Sequence, residues 1–123
     1  MSESDMLAIL AQLNIKSAEM PADCTDYGTS FVCCDFSVKL MWSNHRRYPT
    51  LYQLDKLLMS FEPEMDLSIA LRKAELIAVA AATSGAKDVL ARTIYSMPVD
   101  ARLPEWQAFV QANPVSAPTQ SAS

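Results

Sequence analysis

Residues 31–42 read FVCCDFSVKLMW, and the fold class depends on how this stretch is interpreted. Apolar residues alternate there with Asp35, Ser37 and Lys39, which is the period of a half-buried β-strand. No second stretch alternates as clearly, and a single strand leaves its backbone groups unpaired. A strand at this position needs a short partner from residues 14–20, or the same strand of a second copy. A helix buried on most sides is the alternative.

The composition favours helix over sheet. The chain has 123 residues, of which 50% are hydrophobic and 20% charged, a balance typical of one folded domain. It has only two glycines, Gly28 and Gly85, although tight turns between strands commonly use glycine. Alanine, leucine and methionine are abundant, and these residues favour helix.

The other apolar residues recur at helical spacing and predict about five helices. Ser2 or Ser4 can cap the first, which Asn14 ends, and Gly85 can cap the C-terminus of the third. Proline fits the first position of a helix, and three of the helices are expected to start at Pro49, Pro63 and Pro104. In the last helix, we expect the apolar side chains to dock on the core: Trp106, Phe109 and Val110.

We therefore predict a mainly α domain over residues 1–114, followed by a flexible polar tail over residues 115–123. One or two short strands near residues 31–42 would make the fold α+β, which is the alternative.

The charge distribution bears on the kind of partner. The net charge is −4, and residues 1–35 contain six acids but only one base, Lys16. Such a surface suits solubility or a basic protein partner and makes nucleic acid an unlikely ligand. The longest apolar run, residues 76–82, is too short to span a bilayer, and the N-terminus lacks a signal-peptide pattern. We expect no membrane partner.

The cysteines point to a reducing compartment. Cys24, Cys33 and Cys34 are odd in number and two are adjacent, which does not fit a disulfide framework. We therefore expect a cytoplasmic protein in which Cys33 and Cys34 are small buried hydrophobic residues. Zinc sites normally contain a closely spaced ligand pair, and none occurs around His45, the only histidine. We predict no metal and no cofactor.

The chain also lacks a recognisable catalytic or phosphate-binding pattern. Glu62, Glu64 and Asp66 cluster where we expect a helix to begin, which is a common interaction of acids with the helix dipole. With two separated glycines, no phosphate-binding loop of the glycine-rich type can form. We therefore predict that the protein is not an enzyme.

The stretch most typical of a binding site is residues 42–48, WSNHRRY. Tryptophan, tyrosine and arginine are the side chains that most often anchor protein interfaces. In the alternative interpretation, the two aromatic rings cap the core and the arginines are solvated. The candidate protein-binding residues are Trp42, His45, Arg46, Arg47 and Tyr48.

These observations favour a small acidic protein that binds another protein or a second copy of itself. Inhibitors, immunity proteins, assembly chaperones and phage accessory proteins have this size and charge, although the comparison is only an analogy. The alternative is a DNA-binding regulator, because residues 72–97 have the outline of a helix-turn-helix. Its second helix contains only two bases, Lys87 and Arg92.

Overall fold

The computed structural model describes residues 3–83 and 87–114. Its fold is α+β, so the prediction of a mainly α domain is wrong. In chain order the elements are α1 (Glu3–Gln12), β1 (Thr25–Cys33), β2 (Phe36–Ser43), β3 (Arg46–Gln53), β4 (Lys56–Ser60), α2 (Leu67–Ala82), α3 (Lys87–Tyr95), a 3₁₀ turn (Val99–Ala101) and α4 (Pro104–Ala112).

The strands form an antiparallel sheet in the order β1-β2-β3-β4, and each strand joins the next through a hairpin. Residues 16–18 form a short fifth strand-like segment, which pairs with the end of β4 and the residue after it. Ser17 bridges Phe61, and the Ala18 N–H donates to the Ser60 carbonyl at 3.0 Å. Residues 14–20 therefore do contain a pairing segment, but its partner is the end of β4 and not residues 31–42.

Residues 49–61, where a helix was predicted, form most of β3 and all of β4. Pro49 lies inside β3 and pairs with Leu40. Its carbonyl accepts a hydrogen bond from the Phe61 N–H at 2.8 Å, so its backbone faces the β4 side. The missing N–H of Pro49 therefore removes no hydrogen bond between β2 and β3.

The hairpin turns are made without glycine. Four residues in these turns have the positive φ that glycine usually supplies. They are Cys34 (59°), Asn44 (52°), His45 (64°) and Leu54 (55°). A low glycine content therefore did not exclude tight hairpins, because other residue types adopt the left-handed conformation in these turns.

The core lies between the inner face of the sheet and the helices. α2 packs against β1, β2 and β3, where Val38, Leu40 and Leu51 are at most 1% exposed. On α4, Trp106, Phe109 and Val110 are buried, which confirms their predicted docking.

The predicted helix ends are partly correct. α1 ends at Gln12, and Asn14 follows with a φ of 62°. α2 starts at Leu67 and not at Pro63, because Asp66 is its N-cap. The predicted cap at Gly85 and the predicted tail at residues 115–123 lie outside the described residues. None of the helices in the described part of the chain has the length and apolarity needed to cross a membrane.

Candidate functional site: the β2–β3 hairpin end

The predicted binding stretch forms the end of the β2–β3 hairpin. Asn44 and His45 make its two-residue turn, and Ser43 pairs with Arg46 across it. Trp42 pairs with Arg47 one step further from the turn. Because side chains alternate along a strand, Trp42 and Arg47 lie on the inner face of the sheet, the same face as the buried Leu40.

Trp42 and His45 are accessible at this end of the molecule. Trp42 is 37% exposed, and its ring meets the His45 ring edge-on with centroids 6.4 Å apart. His45 is exposed at the tip of the turn. The two rings present a ridge with apolar faces and polar nitrogen atoms, a combination that suits contacts with another protein.

Arg47 is held in place by the structure around it. Its guanidinium lies over the Tyr27 ring, 4.9 Å from the centroid, and donates to the Met65 carbonyl at 2.7 Å. Its backbone exchanges two hydrogen bonds of 2.9 Å with Glu64. Arg47 therefore joins the hairpin to β1 and to the segment before α2, and it is not a freely solvated arginine.

The other two candidates lie on the opposite side of the sheet. Tyr48 pairs with Met41 on the outer face and is only 8% exposed. Arg46 is exposed and pairs with Ser43, whose hydroxyl donates to the Asp23 carboxylate at 2.9 Å. The structure therefore brings Trp42, His45 and Arg47 together and separates them from Tyr48 and Arg46.

Two residues that the sequence did not single out join this group. Tyr27 is 37% exposed under the Arg47 guanidinium, and Met65 is 67% exposed beside it. Neither has a sequence signal, because the contact depends on pairing between segments that are about 20 residues apart. We call the group the Trp42 surface: Tyr27, Trp42, His45, Arg47 and Met65.

The acids that precede α2 have structural roles next to this surface. Asp66 caps α2 by accepting hydrogen bonds from Ser68 and Ile69. The Ser68 hydroxyl, the Ile69 N–H and the nearby Arg47 charge lower the pKa of the Asp66 carboxyl. Glu64 forms an ion pair of 2.9 Å with the buried Lys73. These contacts fix the position of Met65, which lies between the two acids.

The cysteines are only partly as predicted. All three are free; Cys24 and Cys33 are half-buried, but Cys34 is exposed in the first hairpin turn. The prediction that Cys34 is buried is therefore wrong. Burial raises the pKa of the Cys24 and Cys33 thiols. Within residues 3–83 and 87–114, no three histidine, cysteine or acidic side chains form a group suited to a metal ion.

Residues 72–97 comprise most of α2 and all of α3. Lys73 pairs with Glu64, Arg72 lies 3.7 Å from Glu75, and Arg92 pairs with Asp88 at 2.8 Å. Carboxylates thus offset three of the bases that a DNA-binding helix pair would use. DNA binding by this segment stays an untested alternative.

Comparison of the chain with protein-family models, curated protein sequences and solved structures finds no match. The geometry of the surface is therefore the basis for its functional interpretation.

Proposed function

We propose that the protein is a non-enzymatic protein-binding protein whose Trp42 surface anchors a partner protein. The supporting observation is that a tryptophan, a tyrosine, an arginine and a methionine converge at one accessible end of the sheet. Tryptophan, tyrosine, arginine and methionine are enriched in protein interfaces. By analogy of size and charge, the protein would belong to one of four classes of small acidic proteins: inhibitors, immunity proteins, assembly chaperones or phage accessory proteins.

The way Arg47 is held supports this role. A side chain that is already ordered loses less entropy when a partner binds. Arg47 lies over Tyr27 and donates to the Met65 carbonyl, so the surface is preorganised in the free protein. Trp42 and Met65 supply the exposed apolar area, while Arg47 fixes the backbone and the ring beside them.

The test is affinity purification from the native host, followed by measurement of binding to the recovered partner. We expect Trp42→Ala to weaken binding by about 30-fold, the effect of losing about 2 kcal/mol at an interface anchor. Met65→Glu should weaken it as well, because it places a charge in the contact. Val99→Glu is the matched control, since Val99 is 70% exposed and Met65 is 67% exposed.

The proposal fails if no specific partner is recovered. It also fails if Trp42→Ala and Met65→Glu bind the partner as tightly as Val99→Glu does. Far-UV circular dichroism and thermal melts of each variant separate a binding defect from unfolding. A catalytic activity of the purified protein itself would contradict the proposal that it is not an enzyme.

The proposed compartment is the cytoplasm. Three unpaired thiols, one of them exposed, persist most readily where the thiol pool is reducing. Fractionation of the native host with thiol trapping tests this assignment. Recovery of the protein in an oxidising compartment, with its thiols blocked or oxidised, would overturn it.

A further inference from the structure

The first hairpin contains two adjacent cysteines. Cys33 is the last residue of β1 and pairs with Phe36, and Cys34 is the first residue of the turn between them. Cys33 is half-buried and packs against the core, whereas Cys34 is exposed. One thiol is therefore open to reagents in solution, and a second, shielded thiol lies next to it in the chain.

The backbone at Cys34 brings the two side chains to the same side of the chain. Successive residues of a strand point to opposite faces of the sheet, and their φ values are negative, near about −140°. Cys34 instead has a φ of 59°, which turns its Cβ by roughly 180° about the N–Cα bond relative to a strand residue. Its side chain therefore lies on the side to which Cys33 points.

The two thiols also interact. Burial raises the pKa of the Cys33 thiol, and the charge of Cys34 and a hydrogen bond with Cys34 raise this pKa further. Cys24 does not belong to the pair, because it precedes β1 and lies more than about 20 Å away at the other end of that strand. The first hairpin turn thus contains an isolated dithiol.

We propose that Cys33 and Cys34 form a reversible redox-modification site, which a small disulfide such as glutathione disulfide oxidises to a disulfide between the two adjacent residues. The Cys34 thiolate attacks one sulfur of glutathione disulfide, forms a mixed disulfide and releases one glutathione thiolate. The Cys33 thiolate then attacks the Cys34 sulfur and releases the second. The two thiol protons of the protein pass through solvent to the two released glutathiones, so the protein is oxidised by two electrons and glutathione disulfide is reduced.

Cys33 is suited to the second step and not to the first. Its burial hinders attack on a disulfide in solution, but its position beside Cys34 makes attack on the mixed disulfide intramolecular. Once Cys34 is part of a mixed disulfide, it has no thiolate charge, so one cause of the raised pKa of Cys33 disappears. Cys33 then ionises more readily at the stage where its thiolate is needed.

The disulfide between these residues should be easy to reduce again. Two adjacent Cα atoms are about 3.8 Å apart across a trans peptide bond, whereas those of most disulfides are about 4.4–6.8 Å apart. The closed ring is therefore strained, and a strained, accessible disulfide is more easily reduced than a structural one. The bond should form only when the surrounding thiol pool becomes oxidising.

The dithiol lies far from the Trp42 surface. Phe36, next to the turn, and Trp42 lie near opposite ends of β2, a separation of about 20 Å. The inference therefore does not depend on the proposed function, and its test needs no binding partner.

Equilibration of the purified full chain with glutathione buffers tests the proposal. The reduced protein is incubated at increasing ratios of glutathione disulfide to glutathione, quenched with acid, alkylated with iodoacetamide and digested for mass spectrometry. We expect the peptide that contains Cys33 and Cys34 to lose two hydrogens, about 2 Da, and to carry neither glutathione nor an alkyl group. An excess of reduced glutathione should restore the dithiol.

Three variants separate the steps, and far-UV circular dichroism checks that each is folded. Cys33→Ala should retain glutathione on Cys34 in the buffer that closes the wild-type disulfide, and alanine adds no polar group at this half-buried position. In Cys34→Ser, Cys33 should react with glutathione disulfide at least about tenfold more slowly than the wild-type pair does. Cys24→Ser is the matched control, because it leaves the pair intact, and it should be oxidised as the wild type is.

The proposal is overturned if the wild-type chain retains glutathione on Cys34 without closing the disulfide, or if both thiols stay free in glutathione disulfide alone. A covalent dimer as the main product on a non-reducing gel would also overturn it, because Cys34 would then pair with a second chain. Loss of the oxidation in Cys24→Ser would do so as well, by making Cys24 the partner.

Discussion

The Arg47 guanidinium lies 4.9 Å from the centroid of the Tyr27 ring, so a side chain on β3 is stacked on one from β1 across the intervening strand. The same guanidinium donates to the Met65 carbonyl at 2.7 Å. One arginine therefore ties three segments of the chain together at the hairpin end. This arrangement gives Arg47 a role in stability that Arg46, its exposed neighbour, does not share.

We expect Arg47→Ala to lower the free energy of unfolding by about 1–3 kcal/mol, because it removes a cation–π contact and a charged hydrogen bond. Arg46→Ala should change it by less than about 0.5 kcal/mol, since Arg46 is exposed. Urea titration of both variants measures the difference. Equal stability of the two variants would contradict the structural role of Arg47.

The three thiols should react at different rates in the folded protein. Cys34 is exposed, whereas Cys24 and Cys33 are half-buried with raised pKa values. The thiolate is the reactive form, so burial and a raised pKa both slow the reaction. We expect Cys34 to be alkylated first. Mass spectrometry of Cys33→Ser and Cys34→Ser proteins after short iodoacetamide pulses checks this, and loss of the fast phase in Cys33→Ser alone would contradict it.

The Asp66 cap should make stability depend on pH. Its pKa is lowered from 3.8, chiefly by the hydrogen bond from the Ser68 hydroxyl. Because the folded pKa is below the unfolded one, the ionised cap stabilises the fold above pH 3.8, and this contribution disappears as the pH falls through the lower folded value. Asp66→Ala should therefore lower the melting temperature most near neutral pH.

Melts of wild-type and Asp66→Ala protein from about pH 7 down to about pH 2 measure this dependence. The gap between the two melting temperatures should narrow below pH 3.8. Glu62→Ala is the control, because Glu62 is exposed and lies outside the capping contacts. A gap that stays constant over the whole range would show that the charge of Asp66 contributes nothing to the cap.

The helices after residue 66 could be predicted because their signals are local. Pro104 opens α4 and the apolar spacing places Trp106 and Phe109 inward, as the structure has them. The N-cap at Asp66 could also have been predicted from the sequence, since aspartate is a common residue at the N-cap of a helix. The error was to start that helix at Pro63, four residues before its first residue, Leu67.

The sheet could not be predicted in the same way because its pairing is non-local. β3 reads RRYPTLYQ, and Pro49 and the leucines after it fit a helix start as well as a strand. Only the Phe61 hydrogen bond to the Pro49 carbonyl shows why proline is tolerated there. The Trp42 surface has the same limitation, because Tyr27 and Met65 join it through contacts between distant segments.

Leu54 offers a direct test of the hairpin turns. Its φ of 55° is a conformation that residues with a Cβ adopt at a cost and glycine adopts freely. We therefore expect Leu54→Gly to be more stable than Leu54→Ala by about 1 kcal/mol. Both variants remove the same exposed side chain, so the difference between them isolates the backbone.

The same pair of substitutions at Leu57 should give the opposite sign. Leu57 is 48% exposed, pairs with Tyr52 within β4 and is not among the residues with positive φ. Glycine inside a strand costs about 0.5–1 kcal/mol relative to alanine, so Leu57→Gly should be the less stable variant. Urea titration of the four proteins measures both differences. If glycine is the less stable choice at both positions, the left-handed turn at Leu54 is not the conformation of the folded protein.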